Sequence, residues 1–121
     1  MKSLIIVAHG SKKKSSNDEV IEIVNNIKKS NTDYSNIEES FLEFETPSLK
    51  ESVKKCIESK SDQIFIYPYF LNSGKHVTLD IPTIVEEFKT KFQKTSFTIL
   101  PHFGKSESVT EIISSDIKLH I

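Results

Sequence analysis

At 121 residues the chain has the length of one domain, with no room for a separate substrate domain. Apolar residues make up 36%, and adding the 3 glycines still leaves the total below the roughly 45–50% of an average globular domain, so the expected core is modest. Sixteen lysines and no arginine against seventeen acidic residues give a net charge of −1, which disfavours nucleic acid and anionic membrane as partners. With no guanidinium available, any carboxylate or phosphate must be met by ammonium groups or backbone N–H. The single cysteine excludes an intrachain disulfide and a CxxC metal knuckle and fits a reducing compartment. The apolar run Leu4–Ala8 is too short for a signal core, and nothing approaches a membrane span, so a cytoplasmic location is expected.

Four strand-like runs alternate with four helix-like runs. Ser3–Ala8 is continuously apolar, as a central parallel strand covered on both faces would be. His9-Gly10-Ser11 follows it. A glycine there suits a turn with positive φ, and the imidazole before it can either bond a carbonyl or handle a metal ion or proton near neutral pH. Lys12-Lys13-Lys14 then reads as a solvated run able to steer an anionic ligand. The first helical stripe is Val20, Ile21, Val24 and Ile27, with Ser16 and Glu19 spaced as a capping box.

The second strand, Ile37–Phe44, carries Glu39, Glu43 and Glu45 on one side and suits a sheet edge. One of Glu43 and Glu45 is expected to meet the next helix N-terminus, leaving the other as a proton acceptor. Thr46-Pro47 reads as an N-cap with proline at the first helical position, before the stripe Leu49, Val53, Cys56 and Ile57. Cys56 falls on that stripe and reads as a buried core thiol.

Gln63–Tyr67 is the third strand. The connection that follows, Pro68–Val77, is longer than the roughly 2–6 residues usual for such loops. It holds Tyr69, Phe70 and Leu71, which either fold back onto the core or wall a flat ligand, with His76 on the rim. The next helix is expected near Asp80 with Pro82 in its first turn, on the stripe Ile81, Ile84, Val85 and Phe88. Ser96–Leu100 makes the fourth strand. His102 follows as a turn residue or a third imidazole, and a last helix capped by Ser106 carries Val109, Ile112 and Ile113; His120 is expected to be solvated.

This alternation implies one three-layer α/β domain over residues 1–121, with a four-stranded parallel sheet in the order 2-1-3-4 of the flavodoxin-like kind. The switch point then lies between strands 1 and 3, so His9 and the Pro68–Val77 loop border one crevice. No GxGxxG or GxxxxGK[ST] phosphate loop is present, which disfavours a flavodoxin-like cofactor module, and Ala8 rather than arginine before His9-Gly10 disfavours a histidine phosphatase.

Five short segments in order carry a family resemblance: Val7-Ala8-His9-Gly10-Ser11; Phe41-Leu42-Glu43 with Thr46-Pro47-Ser48-Leu49; Pro68-Tyr69-Phe70-Leu71; Gly74-Lys75-His76-Val77; and Asp80-Ile81-Pro82. Together they resemble the small, half-size sirohydrochlorin cobaltochelatases of the CbiX type, in the class II chelatases. The resemblance implies ATP-independent insertion of a divalent metal, cobalt first and iron or nickel as alternatives, into sirohydrochlorin for cobalamin- or siroheme-type cofactors. It implies His9 and His76 as metal-handling residues and Glu43 as their acidic partner in catalysis. Ser11, Lys12, Tyr69, Phe70, Leu71, Gly74 and Lys75 would bind the macrocycle and its carboxylates. Relatives often carry arginine where Lys12 stands, so here a carboxylate would be met by a point charge. The metal would be a substrate, with no cofactor permanently bound. A homodimer is expected, because larger members resemble two such units fused and one small unit offers little core. A non-catalytic metal or tetrapyrrole carrier on the same fold is the rival reading.

Overall fold

The computed structural model describes residues 1–31 and 33–121. Strands β1 (Lys2–Ala8), β2 (Asn36–Phe41), β3 (Gln63–Pro68) and β4 (Ser96–Ile99) form one parallel sheet in the order β2-β1-β3-β4. Helices α1 (Lys14–Ser30), α2 (Leu49–Glu58), α3 (Ile81–Lys91) and α4 (Ser108–Leu119) follow the strands in turn. A π-helical turn, His76–Asp80, leads into α3, and a 3₁₀ turn, Phe103–Lys105, precedes α4. Class and strand order are those expected from the alternating pattern.

The two-residue period sorts the core. Ile5, Val7, Ile64 and Ile66 face α2 and α3, packing on Leu49, Val53, Cys56, Ile81, Val85 and Phe88. Leu4 and Ile6 point to the opposite face, with Val24 of α1 and Ile37 of β2. Cys56 is 1% exposed, and burial pushes its thiol pKa up, as befits a core residue.

Several boundaries differ from the sequence expectation. Strand β2 stops at Phe41, three residues early: Phe44 at φ 67° breaks the extended backbone, and on the outer edge Phe41 N–H donates to the Pro47 carbonyl (2.9 Å). Thr46 therefore does not cap α2. Ser48 does, its hydroxyl accepting from Glu51 N–H (3.1 Å) while Glu51 accepts from Ser48 N–H (3.0 Å), the reciprocal pattern of a capping box. Helix α1 starts at Lys14, which places Ser16 and Glu19 inside it and leaves no box there. Ser106 does meet the last helix, accepting from Ser108 N–H at 3.2 Å. The last helix forms where its stripe predicts, but no α4 residue is buried, and Ile112 and Ile113 stand 47% and 52% exposed.

Candidate active site

The C-terminal edge of β1 and β2 sets the first half of the site. Pairing continues past both strands, with Leu42 N–H donating to Ala8 O (3.0 Å) and Glu43 N–H to His9 O (2.9 Å). This extension holds Glu43 beside His9, with Oε2 3.2 Å from Nε2. Gly10 makes the approach possible. Its φ is +93°, and a Cβ on it would run into the Glu43 carbonyl.

The tautomer of His9 follows from its other nitrogen. Nδ1 is 2.9 Å from the Gly10 carbonyl, which can only accept, so Nδ1 carries hydrogen. Nε2 then faces an acceptor carboxylate. A bare lone pair there would be repelled, so the gap between His9 and Glu43 is a place for a proton or a metal cation.

His76 enters from the loop after β3. Its ring lies edge-on to that of His9, 4.7 Å between centroids, and stacks on Phe70 at 6.2 Å. Its Nδ1 is 2.6 Å from Asp80 Oδ2, so the carboxylate holds the hydrogen on Nδ1 and leaves Nε2 as the lone-pair nitrogen. Beside the imidazoles an open cleft of about 520 Å³ is lined by Leu42, Glu43, Lys50, Lys75, His76 and Leu79, among others. Lys75 and Lys50 are the cations on its wall.

The other expected residues fall around this centre. Ser11 accepts from Lys13 N–H through its hydroxyl (3.0 Å), and Lys12 Nζ lies 5.3 Å over the Phe44 ring, whose other neighbour is His9 at 6.1 Å. Gly74 is exposed, and its carbonyl accepts from Val77 and Thr78 N–H. The aromatic run divides. Phe70 stands against His76, whereas Tyr69 keeps the alternation of β3 and turns to the α1 face against Phe103, and Leu71 is 63% exposed. His102 precedes the 3₁₀ turn and does not line the cleft beside His76, and His120 bonds the Asp116 carbonyl near the chain end.

Two contributors were not singled out from sequence. Asp80 stood in a motif but had no assigned role. Asn17, on α1 and only 3% exposed, clamps the turn after His9, with Oδ1 accepting from Ser11 N–H (2.9 Å) and Nδ2 donating to Ser11 O (2.8 Å). Asn17 Nδ2 also reaches Glu45 (3.4 Å), which accepts from Thr46 N–H as well. Glu45 is therefore the structural carboxylate, and Glu43 is the one that faces the imidazole of His9. Among the described residues no three His, Cys, Asp or Glu side chains are arranged to hold one ion together. The donors form two adjacent pairs instead.

The CbiX family model matches residues 3–119. The chain is 30% identical over 118 residues to the sirohydrochlorin cobaltochelatase of Sulfurisphaera tokodaii, covering 98% of this chain and 92% of that one. It is 28% identical over 115 residues to the chloroplastic sirohydrochlorin ferrochelatase of Arabidopsis thaliana, covering 95% of this chain and 51% of that one. The chain thus spans about half the length of several curated relatives it matches. In fold it is similar to a cobalamin biosynthesis CbiX protein from Marinobacter aquaeolei VT8, with a TM-score of 0.83, 20% identity and coverage of 99% and 97%.

Proposed function

Because this chain belongs to the CbiX family, we propose that it is a chelatase inserting a divalent metal ion into sirohydrochlorin, most simply Co²⁺. The observation that carries the reading is the meeting of His9, Glu43 and His76 at one sheet edge, from three separate segments. Two imidazole nitrogens suit first-row ions such as Co²⁺, Fe²⁺ and Ni²⁺ without the grip of a thiolate cluster. That is appropriate for an ion that must leave.

Metallation exchanges one M²⁺ for two pyrrole N–H protons. The ion is received at His9 and His76, sheds water, and passes to the four ring nitrogens. Glu43 and His9 accept departing protons in the gap the metal vacates. Lys12, Lys50 and Lys75 meet the peripheral carboxylates as point charges, Ser11 and Gly74 offer hydrogen-bonding groups at the rim, and Phe70 and Leu71 supply apolar contact to the macrocycle. Tyr69 supports this wall from behind. No ATP and no permanently bound cofactor are required, because the free energy comes from the metal–nitrogen bonds formed.

Relatives named for cobalt and for iron are similar to this chain to nearly the same degree, so cobalt rests on the S. tokodaii relative, which it spans almost fully. We place the protein in the cytoplasm on its lone reduced, buried thiol, and note that no helix among the described residues is long and apolar enough to cross a membrane. One chelatase-like unit per chain, acting as a homodimer, completes the reading.

The test is sirohydrochlorin absorbance with Co²⁺, Fe²⁺ and Ni²⁺ in turn, against the uncatalysed rate. Turnover fastest with Co²⁺, lost in both His9→Ala and His76→Ala while circular dichroism is unchanged, is the expected result. His102→Ala should cost far less. Binding of tetrapyrrole or metal without rate enhancement would make the protein a carrier instead.

A further inference from the structure

Between β2 and α2 the chain turns on a bulky residue where the backbone favours a small one. Phe44 has φ of 67°, in the left-handed region that glycine and asparagine ordinarily occupy and a large side chain avoids. Across it Glu45 N–H donates to the Glu43 carbonyl at 2.8 Å, so Phe44 is the central residue of a γ-turn with positive φ, the strained form. Both flanks hold the turn in place. Glu43 N–H is bonded to the His9 carbonyl, and the Glu45 carboxylate accepts from Thr46 N–H and from Asn17. Strain of this kind persists only where its surroundings over-determine it, and it gathers at ligand sites.

Packing does not account for this conformation. Phe44 lies outside both core clusters of the described residues and is 57% exposed, so the strained backbone sets an apolar ring in water. What the ring gains is position. Its centroid is 6.1 Å from that of His9, His9 is 4.7 Å from His76, and His76 is 6.2 Å from Phe70. The two imidazoles thus have a phenylalanine neighbour each, one from the loop after β2 and one from the loop after β3. Lys12 Nζ lies 5.3 Å over the Phe44 centroid, so the ring face already holds a cation. That contact is exposed and therefore weak, and a flat ligand can take the ammonium's place. An aromatic face, a lysine on it and an imidazole beside it suit a conjugated ring system with carboxylates at its edge. A free phosphate would use only the lysine, and a hydrated metal ion only the imidazole.

We propose that Phe44 is a substrate-contacting residue: its ring stacks on the tetrapyrrole and seats the macrocycle plane beside His9, while Lys12 leaves the ring face for a peripheral carboxylate. The assignment rests on the sirohydrochlorin reading of this site and adds to Phe70 a second aromatic support, from the β2 side. The strain at Phe44 is then what aims the ring: extended backbone would continue the strand alternation and turn the side chain elsewhere.

The experiment titrates sirohydrochlorin into wild type, Phe44→Leu, Phe44→Gly and Phe44→Trp by absorbance, and repeats the titration with Co²⁺ alone. Phe44→Leu keeps apolar bulk but loses the stacking face, and should weaken macrocycle binding about 10-fold, the scale of one aromatic stacking contact. KM should rise with kcat little changed, the mark of lost uniform binding. Phe44→Trp should bind as wild type does. Phe44→Gly relieves the backbone, so its urea midpoint should not fall although its macrocycle binding does. Co²⁺ binding should be unchanged in all three, because a phenyl ring offers the ion no donor atom. Wild-type affinity for sirohydrochlorin in both Phe44→Leu and Phe44→Gly would reduce the ring to a turn filler and overturn the proposal. So would an equal loss of Co²⁺ and macrocycle affinity, or a Phe44→Trp no better than Phe44→Leu. Wild-type turnover alongside any of these results leaves the metal-insertion reading standing. A wild type that binds no sirohydrochlorin would remove that reading and the role of Phe44 with it.

Discussion

Asp80 holds His76 by a 2.6 Å contact between Oδ2 and Nδ1, four residues apart across the π-helical turn. The contact decides which nitrogen of His76 is the lone-pair one. A carboxylate that orients an imidazole in this way raises its basicity and fixes the ring plane, and such partners typically matter 10- to 100-fold.

Asp80→Asn should therefore lower the initial metallation rate by roughly 10- to 100-fold, with less loss than His76→Ala. Asp80 makes no side-chain cap to α3, so the helix should survive. Equal rates in wild type and Asp80→Asn, with circular dichroism unchanged, would show that the contact is incidental to chemistry.

Glu43→Gln preserves shape but removes the acceptor facing His9 Nε2. Sirohydrochlorin should still bind, as read by absorbance titration, while insertion slows about 10²-fold or more, the usual scale for a lost proton acceptor. Glu45→Gln, by contrast, should act mainly on stability, because Glu45 ties the Asn17 clamp to Thr46.

Gly10→Ala forces a side chain into a left-handed conformation beneath the Glu43 carbonyl. Strain of this kind costs about 1–3 kcal/mol before the contact is counted. A lower urea midpoint is expected together with a lower metallation rate, since relief of the contact must move Glu43 from His9. Unchanged rate in a destabilised protein would separate the two effects.

The Ser48 backbone N–H and hydroxyl together hold the Glu51 carboxyl below its ordinary value of 4.5. Its folded pKa is depressed, so its contribution to stability is present above the unfolded value and disappears as pH falls through the folded one. Glu51→Gln keeps a reciprocal acceptor and removes the charge. The variant should melt lower than wild type at neutral pH, and the gap should close as pH falls below the ordinary value of 4.5 and through the lower folded one. A gap that is constant with pH would assign the effect to something other than ionisation.

Sheet order and the convergence of His9, Glu43 and His76 at one edge were legible in the sequence for a simple reason. A continuous apolar strand ending in histidine can only deliver that histidine to the sheet's C-terminal edge, and parallel topology gathers other strand ends beside it. Glu43 and Glu45 could not be told apart, because Phe44 between them has φ of 67° and breaks the strand alternation that would have put both on one side. Asn17 was hidden because a polar residue on a helix ordinarily faces solvent. Tyr69 was grouped with Phe70 as loop, although the β3 alternation runs on through it. The α4 stripe was legible as apolar, yet it stands exposed; periodicity reports which face seeks cover, not whether it is covered.

In the π-helical turn, Ile81 N–H closes on the His76 carbonyl five residues back, one residue more than in an α-helical turn. That extra residue acts as a phase shifter between α3 and its histidine. Deleting one position between Val77 and Leu79 would let α3 run on as regular helix, and His76 would swing about 100° around the axis. The imidazole would leave Phe70 and turn from His9 although every named site residue remained in the chain. Loop length here is thus part of the chemistry, and a natural sequence one residue shorter would need its histidine at a different step to present the same nitrogen.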